Sequence, residues 1–490
     1  MGDEAGEAWS VLTDAQAKME AARCLMCDDP PCVAACPAGV PVKHFIRAIR
    51  FDSPRRAINL IRDRNVFAGV CGLACPVDEL CVGACTSTEL STPIAIGKLQ
   101  HYAAVKAIQA DWSERPSKAI ENKSLSQNCG TGVSPVMNDS GTGVSPVMQH
   151  RRDAGATGEH CATGSMGISS KVAVIGAGPS GLAAAAELAR LGHRPTVFER
   201  QQRAGGICTY AVPGHRLPQE LVAGEIKYIE GLGVEIKHGS PFGDGQTLDD
   251  LFTTVYEAVY ISSGLQEAAM PGISGETLEG VTTWKALLEG FAKFRLGEGE
   301  KPSAADEVII VGGGSVAMDA AGVAKALGAS EIDMLCLEAP HEMPAYHAEL
   351  DEAWDEGVRF HTRSMPLEIT GENGRVTGLR AVRIRWMEPD KFVPSNAEKI
   401  AGTEYWLPGS MVVFAIGARA SARLAEALPG VKLDRTGRII VDAATGATSR
   451  PGVFAGGDAA ASGGTTIVKS IAEGKRAGEA IAAYLVKRIS

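Results

Sequence analysis

No apolar run in this chain reaches the roughly 18 residues that a membrane-spanning helix needs, which argues against a helical membrane protein. There is no basic excess either. Lys and Arg number 48 against 58 Asp and Glu, a formal charge of −10, whereas non-specific nucleic-acid binding rests on a basic footprint. Neither a membrane nor a nucleic acid is therefore expected as a partner. The first residues, Met1-Gly-Asp-Glu-Ala-Gly-Glu, are acidic with no apolar stretch after them, unlike a secretory signal. A cytoplasmic location is expected. There, the 12 cysteines are expected to be ligands or catalysts rather than disulfides. What remains is ordinary globular material, 45% apolar and 22% charged over 490 residues, enough for about three domains.

Three zones follow along the chain. Residues 1–115 are Cys-rich, with helical patterning between the thiols. Val42, Phe45, Ile46 and Ile49 form one apolar stripe, and the segment from Pro93 reads as a further helix after a turn. Residues 116–169 are rich in Gly, Ser, Thr and Asn without amphipathic period, and an eight-residue word at Gly130–Met137 returns at Gly141–Met148. Two copies do not make a solenoid, so a flexible insert is expected, with Cys129 and Cys161 as free thiols. From Lys171 onward, apolar strands alternate with helical patterns and glycine turns, the mark of an α/β protein.

Eight cysteines fall in the first zone, as Cys24-x2-Cys27-x4-Cys32-x3-Cys36-Pro37 and Cys71-x3-Cys75-Pro76-x4-Cys81-x3-Cys85. Short Cys runs ending in Cys-Pro point to iron–sulfur clusters. Structural zinc is the alternative, but zinc knuckles use paired Cys-x2-Cys units and only one is present here. The intervening Lys43, Arg47, Arg50, Arg55, Arg56, Arg62 and Arg64 read as a solvated helix face, with a docking patch for an acidic electron-transfer partner as the sharper alternative.

Two dinucleotide fingerprints lie further on. Val172-Ala-Val-Ile-Gly176-Ala-Gly178-Pro179-Ser180-Gly181 leaves an apolar strand and opens an Ala-rich helix, and a second strand, Thr196-Val-Phe, leads to the acid Glu199. That is the context in which a glycine turn lets backbone approach a pyrophosphate and an acid accept ribose hydroxyls. Gly205-Gly206 adds another close-approach loop. Val308-Ile-Ile-Val-Gly312-Gly313-Gly314-Ser315-Val316-Ala317 repeats the pattern. Two fingerprints imply two nucleotides in one enzyme.

The stretches Cys75-Pro-Val-Asp-Glu-Leu-Cys-Val-Gly-Ala-Cys85 and Pro93-Ile-Ala-Ile-Gly-Lys-Leu-Gln100 resemble the N-terminal domain shared by glutamate synthase small subunits and dihydropyrimidine dehydrogenase. The two fingerprints with Gly452-Val-Phe-Ala-Gly456-Gly457-Asp458 resemble two-dinucleotide flavoproteins of the glutathione reductase fold. The resemblance spans nearly the whole chain except the insert. It implies an α/β fold of two Rossmann-like domains preceded by an all-α domain holding two 4Fe–4S clusters. FAD would bind residues 170–295 and 408–490, and NAD(P)H residues 296–407. Cys24, Cys27, Cys32 and Cys85 would ligate one cluster, and Cys36, Cys75 and Cys81 the other with Gln100, Cys71 being the competing fourth ligand. The resemblance also implies contact of Asp458 with the ribityl–pyrophosphate region and a flavin-facing helix from Thr465-Thr466. The remaining candidate cofactor contacts are Arg200, Arg216, Gly264 and Gly417. No catalytic side chain is expected, because hydride transfer belongs to the cofactors.

The redox Cys pair of disulfide reductases is missing: Cys208 is present, but Pro213 stands where its partner would be, so Cys208 reads as packing near the flavin. Where the family carries two arginines ahead of Met343-Pro344, this chain has Leu337 and Glu338. A carboxylate suits a ribose 2′-OH and repels a 2′-phosphate, so NADH is expected over NADPH. With no amidotransferase region and no FMN barrel, the chain is expected to feed a larger electron-accepting subunit of glutamate synthase or dihydropyrimidine dehydrogenase type. The alternatives are a bifurcating transhydrogenase subunit with a ferredoxin partner, a stand-alone reductase, and an inert scaffold.

Overall fold

The computed structural model describes residues 11–112, 169–303, 305–461, 463 and 466–489. The expected insert and its two cysteines lie outside the described residues.

Residues 11–112 are helical, with no strand among those described. The stripe read from Val42, Phe45, Ile46 and Ile49 is the buried face of the helix Val42–Arg50. The segment after Pro93 enters the helix Ile96–Gln109, which crosses the shorter helix Ala68–Ala74 at two glycines. A Cβ on Gly72 would lie 2.8 Å from the carbonyl oxygen of Gly97, and one on Gly97 would lie 2.7 Å from that of Gly72. Only a pair of glycines lets the two backbones meet this closely. Arg62 departs from the solvated face expected for the basic stretch. It is 2% exposed, its guanidinium lies 3.8 Å from the Tyr228 ring centroid, and its Nη1 donates to the Trp112 carbonyl. A planar, weakly hydrated cation is the one basic group suited to such a place.

Two five-stranded parallel sheets follow, built to one plan. In the first, Lys171–Ile175 pairs with Arg194–Phe198 on one side and Ala258–Ile261 on the other, and Val453–Ala455 returns from near the C-terminus to complete an edge. In the second, Glu307–Val311 lies between Glu331–Leu335 and Met411–Phe414, with Val281–Thr283 beyond. The sheets therefore do not divide at the boundaries expected at 295/296 and 407/408. The strand Val281–Thr283, the helix Trp284–Arg295 that follows it and the strand Met411–Phe414 all belong with the second sheet, because pairing and burial hold them there. An antiparallel sheet was not foreseen. Ser364–Glu372, Arg375–Trp386, Ala397–Lys399 and Tyr405–Pro408 form it, and its apolar face closes over Ile309, Val311 and Leu335. Its first hairpin turns at Asn373-Gly374, both with positive φ, the dipeptide that such a turn favours.

The helix Gln219–Gly231 joins the thiol-bearing helices to the first sheet. Its buried face is Leu221, Val222, Glu225, Tyr228 and Ile229, an apolar stripe interrupted by one acid. Glu225 is fully buried, and its carboxylate accepts the backbone N–H of Gly69 at 2.6 Å and of Val70 at 3.1 Å. These are orphan donors of the first turn of Ala68–Ala74, so Glu225 acts as a cap supplied from another part of the chain. Among the described residues no helix is long and apolar enough to cross a membrane.

Glu225→Ala leaves two buried donors unsatisfied and a void, and is expected to destabilise the protein by about 2–4 kcal/mol. Burial pushes the Glu225 carboxyl up to about 7. A group raised in the folded state contributes fully below its unfolded value and less as pH rises through the folded one. The loss on Glu225→Ala should therefore be larger on the acid side of that pH than on the alkaline side, as read by chemical denaturation.

Candidate functional site

Each parallel sheet carries its fingerprint at the carboxyl end of its central strand. In the first, Gly176 has φ +97°, and a Cβ there would lie 2.7 Å from the Ser262 carbonyl oxygen. A Cβ on Gly181 would lie 2.0 Å from the Gly176 carbonyl. Gly178 caps the helix Pro179–Arg190, with nothing within 4 Å of where its Cβ would stand. That open space over a helix N-terminus is what a pyrophosphate requires. Glu199 ends the neighbouring strand and is held by two backbone N–H groups, Ala177 to Oε2 and Gln201 to Oε1, each at 2.8 Å. Gly205 donates to the Ala177 carbonyl, and both Gly205 and Gly206 have positive φ.

The C-terminal return reaches the same loop. A Cβ on Gly457 would lie 3.0 Å from Ser180 Cβ, and the Gly457 N–H donates to Glu473. Ser180 Oγ and Tyr260 OH are 2.7 Å apart. Asp458 stands beside them, its carboxyl pushed up to about 6 by burial. Thr466 Oγ1 accepts the Lys469 N–H at the start of the helix Ile467–Ile489, while Thr465 lies outside the described residues. Tyr260 and Glu473 were missed by the sequence reading, since neither sits in a motif. Gly264 has φ +64° over open space. Gly417, φ +103°, accepts the Trp284 indole N–H through its carbonyl.

In the second sheet Gly312 has φ +147°, and its Cβ would lie 2.4 Å from the Ala415 carbonyl oxygen. Gly314 caps the helix Ser315–Leu327, whose first turn holds Val316 and the buried Ala317. The chain leaves the strand at Leu335, and Glu338 turns back: a Cβ on Gly313 would lie 3.1 Å from Glu338 Oε2. Burial raises the Glu338 carboxyl above its ordinary value. Arg363 donates its N–H to the Glu338 carbonyl, but its guanidinium is paired with Glu342. Met343 and Pro344 pack near Gly313 and Gly314.

The thiols divide into two groups. Cys24, Cys27, Cys32 and Cys85 wall one pocket, lined also by Lys43 and Ile46. Lys43 Nζ donates to the Cys27 carbonyl at 2.7 Å. Burial and then the nearby Cys85 and Cys24 thiols push Cys32 up to about 11. The second group is joined by mutual proximity. Burial, then Cys36 and then Cys32 of the first group raise Cys81 to about 12, burial raises Cys36, and Cys71 is raised first by a hydrogen bond with Cys75 and then by burial. Among the described residues no three Cys, His, Asp or Glu side chains converge on one ion. The short Cys runs ending in Cys-Pro that bring these thiols together suit an iron–sulfur cluster. Gln100 is buried, its Nε2 donating at 2.6 Å to the carbonyl of Ala68, on the helix that carries Cys71. The amide oxygen, the end able to ligate iron, is thereby turned away from that carbonyl.

Two expected cofactor contacts are engaged elsewhere. Arg200 pairs with Glu289 at 3.6 Å. Arg216 bonds Asp319 and Glu349 at 2.5 Å each, because two acids from the second sheet's helices reach it. Cys208 is fully buried, as a packing residue should be.

Gly312→Ala forces a Cβ onto a backbone carbonyl at a φ that L-residues avoid. It is expected to abolish nicotinamide nucleotide binding, read by calorimetry, while leaving the first fingerprint's nucleotide content intact.

The geometry agrees with what known proteins resemble. Residues 170–474 match the family model described as pyridine nucleotide-disulphide oxidoreductase. Residues 3–112 match dihydropyrimidine dehydrogenase domain II, 4Fe-4S cluster. The NADPH glutamate synthase small chain of Escherichia coli is 31% identical over 98% of this chain and 93% of its own length. The β subunit of an NADP(+)-dependent formate dehydrogenase from Moorella thermoacetica is 34% identical over 93% of this chain, which spans 60% of that relative. An NAD-dependent dihydropyrimidine dehydrogenase subunit of Escherichia coli is 29% identical over 97% of this chain and 95% of its own length. The chain is thus an oxidoreductase that belongs to the pyridine nucleotide-disulphide oxidoreductase family, in the glutamate synthase small-chain form with a 4Fe-4S domain in front.

Proposed function

We propose that this chain is the electron-input subunit of a larger cytoplasmic enzyme. FAD and two 4Fe–4S clusters, when bound, supply the conversion of a hydride from NADH into single electrons for a partner catalytic subunit of glutamate synthase or dihydropyrimidine dehydrogenase type. The observation that carries this reading is the junction at Glu225. The helix packed beside the first fingerprint also caps the helix bearing Cys71, close to Cys75. Such a junction holds nucleotide and thiol sites at a fixed separation.

In this reading residues 170–261 and the C-terminal return hold FAD. Gly176, Gly178 and Gly181 admit the pyrophosphate, Glu199 accepts ribose hydroxyls, and Gly457 and Asp458 close the other side. The second sheet holds NADH at Gly312, Gly313 and Gly314. The placement of Glu338 against Gly313 supports a 2′-hydroxyl rather than a 2′-phosphate. The pairing of Arg363 with Glu342 withdraws a neighbouring cation from phosphate binding. Relatives of both nicotinamide specificities occur, so the choice rests on these side chains. Cys24, Cys27, Cys32 and Cys85 hold one cluster, and Cys36, Cys75 and Cys81 the other with Gln100. Cys71, hydrogen-bonded to Cys75, is the competing fourth ligand.

Anaerobic titration of the purified chain is expected to bleach flavin and iron–sulfur absorbance at far lower NADH than NADPH. Flavin bleaching without an iron–sulfur signal would defeat the cluster reading. Leu337→Arg with Glu338→Arg should reverse the nucleotide preference, by about tenfold or more if one phosphate contact is gained. Gln100→Ala should remove the EPR signal and iron of the second cluster. Loss of that cluster in Cys71→Ala alone would assign Cys71 as the ligand instead.

A further inference from the structure

The segment from Arg200 to Arg216 belongs to the first sheet's half and follows the strand that ends at Phe198. The acids that pair with its arginines come from the second sheet's half. Arg203 Nε lies 2.6 Å from Glu298, whose other oxygen accepts the Tyr210 hydroxyl at 2.9 Å. Arg216 lies 2.5 Å from both Asp319 and Glu349. In the ion pairs the cations sit on the first half and the carboxylates on the second, while Lys293 of the second half lies 6.0 Å from the Tyr210 ring centroid. The pairs differ in solvent access. The Arg203 side chain is 52% exposed, and such a pair contributes little. Arg216 is 24% exposed, and its acids only 10% and 8%. A forked guanidinium that takes a different carboxylate on each side fixes direction as well as distance.

Asp319 and Glu349 are placed to transmit position. Asp319 is on the helix Ser315–Leu327, one turn beyond the fingerprint Gly312–Gly314. Glu349 is in the first turn of the helix His347–Asp355, just after the Met343-Pro344 segment that packs near that fingerprint. Arg216 itself follows the Gly205-Gly206 loop and the short helix Ile207–Tyr210. It therefore ties the loop beside the first nucleotide site to both elements that frame the second.

We infer that Arg216 is a positioning residue for hydride transfer: through Asp319 and Glu349 it sets the second fingerprint's helix against the flavin-side loop, without itself touching either nucleotide. This rests on the reading that the two fingerprints bind the donor nucleotide and the flavin. A misplacement of about 1 Å between reacting groups can cost on the order of 100-fold in rate. The seam therefore acts on the transfer step rather than on affinity.

The test uses the full chain, purified anaerobically with its cofactors, in Arg216→Met, Arg216→Lys and Glu349→Gln forms. Stopped-flow flavin bleaching by NADH gives the limiting rate, and calorimetry with NAD+ on the oxidised protein gives affinity without turnover. Arg216→Met should lower the limiting rate about tenfold or more while the NAD+ dissociation constant stays within about threefold. Arg216→Lys should recover part of the rate, since charge returns without the fork. Glu349→Gln, which removes one charge at nearly constant volume, should slow transfer and weaken its dependence on salt. Hydrogen exchange in residues 315–327 should rise in Arg216→Met. An unchanged limiting rate with unchanged exchange overturns the inference. A dissociation constant that rises at constant limiting rate also overturns it, making Arg216 a nucleotide contact. If NADH fails to bleach even the wild-type flavin, the functional reading falls, and hydrogen exchange alone still decides whether Arg216 holds the two halves together.

Discussion

A carboxylate with no exposure to water must find donors to offset its desolvation, and Glu225 finds two on a helix about 155 residues away in sequence. That single pairing orders much around it. It closes the open N-terminus of Ala68–Ala74, the helix that brings Cys71 to the thiol cluster and leads into Cys75. It also obliges the helix Gln219–Gly231 to lie flat against the iron–sulfur helices, where Gly69 and Gly224 make room for Leu221 and Ile108. Arg62 and Tyr228 complete the same buried seam through their stacking. A buried, hydrogen-bonded cap provides a stiffer link between the thiol-bearing helices and the first sheet than a surface contact would.

The two parallel sheets solve one problem twice. A phosphate can approach backbone N–H groups only where no Cβ intervenes, and the first glycine of each fingerprint is hemmed by the carbonyl of a neighbouring crossing strand end, Ser262 in one and Ala415 in the other. The acids that follow, Glu199 and Glu338, both turn back to their glycine loops. They differ in what holds them. Glu199 is pinned by two backbone donors, whereas Glu338 sits beside Gly313 in a pocket whose cation, Arg363, is already paired.

Charge is distributed with similar economy. The chain is acidic overall, yet its arginines collect at junctions: Arg62 and Arg190 between the thiol helices and the first sheet, Arg203 and Arg216 between the two sheets. Guanidinium groups suit these places because they remain charged when buried and bond in two directions.

Much of the candidate site could be read from the chain alone. The glycines of both fingerprints, Glu199 and the eight thiols announce themselves because phosphate approach and cluster ligation demand particular residues at short spacings, which a linear sequence preserves. The stripe Val42, Phe45, Ile46 and Ile49 is legible for the same reason, as a local period. The Asn373-Gly374 turn was legible too, but its hairpin was overlooked. Glu225, Tyr260 and the partners of Arg200 and Arg216 were not, since each meets groups far away in sequence that no local spacing encodes. The division of the sheets also escaped, because Val281–Thr283 and Met411–Phe414 acquire their place only by pairing with Glu307–Val311 or with each other. Local sequence therefore determined which chemistry this protein carries. The tertiary structure alone decided which thiols face one cavity and which charges join the halves, because burial and strand pairing bring together residues that the chain keeps apart.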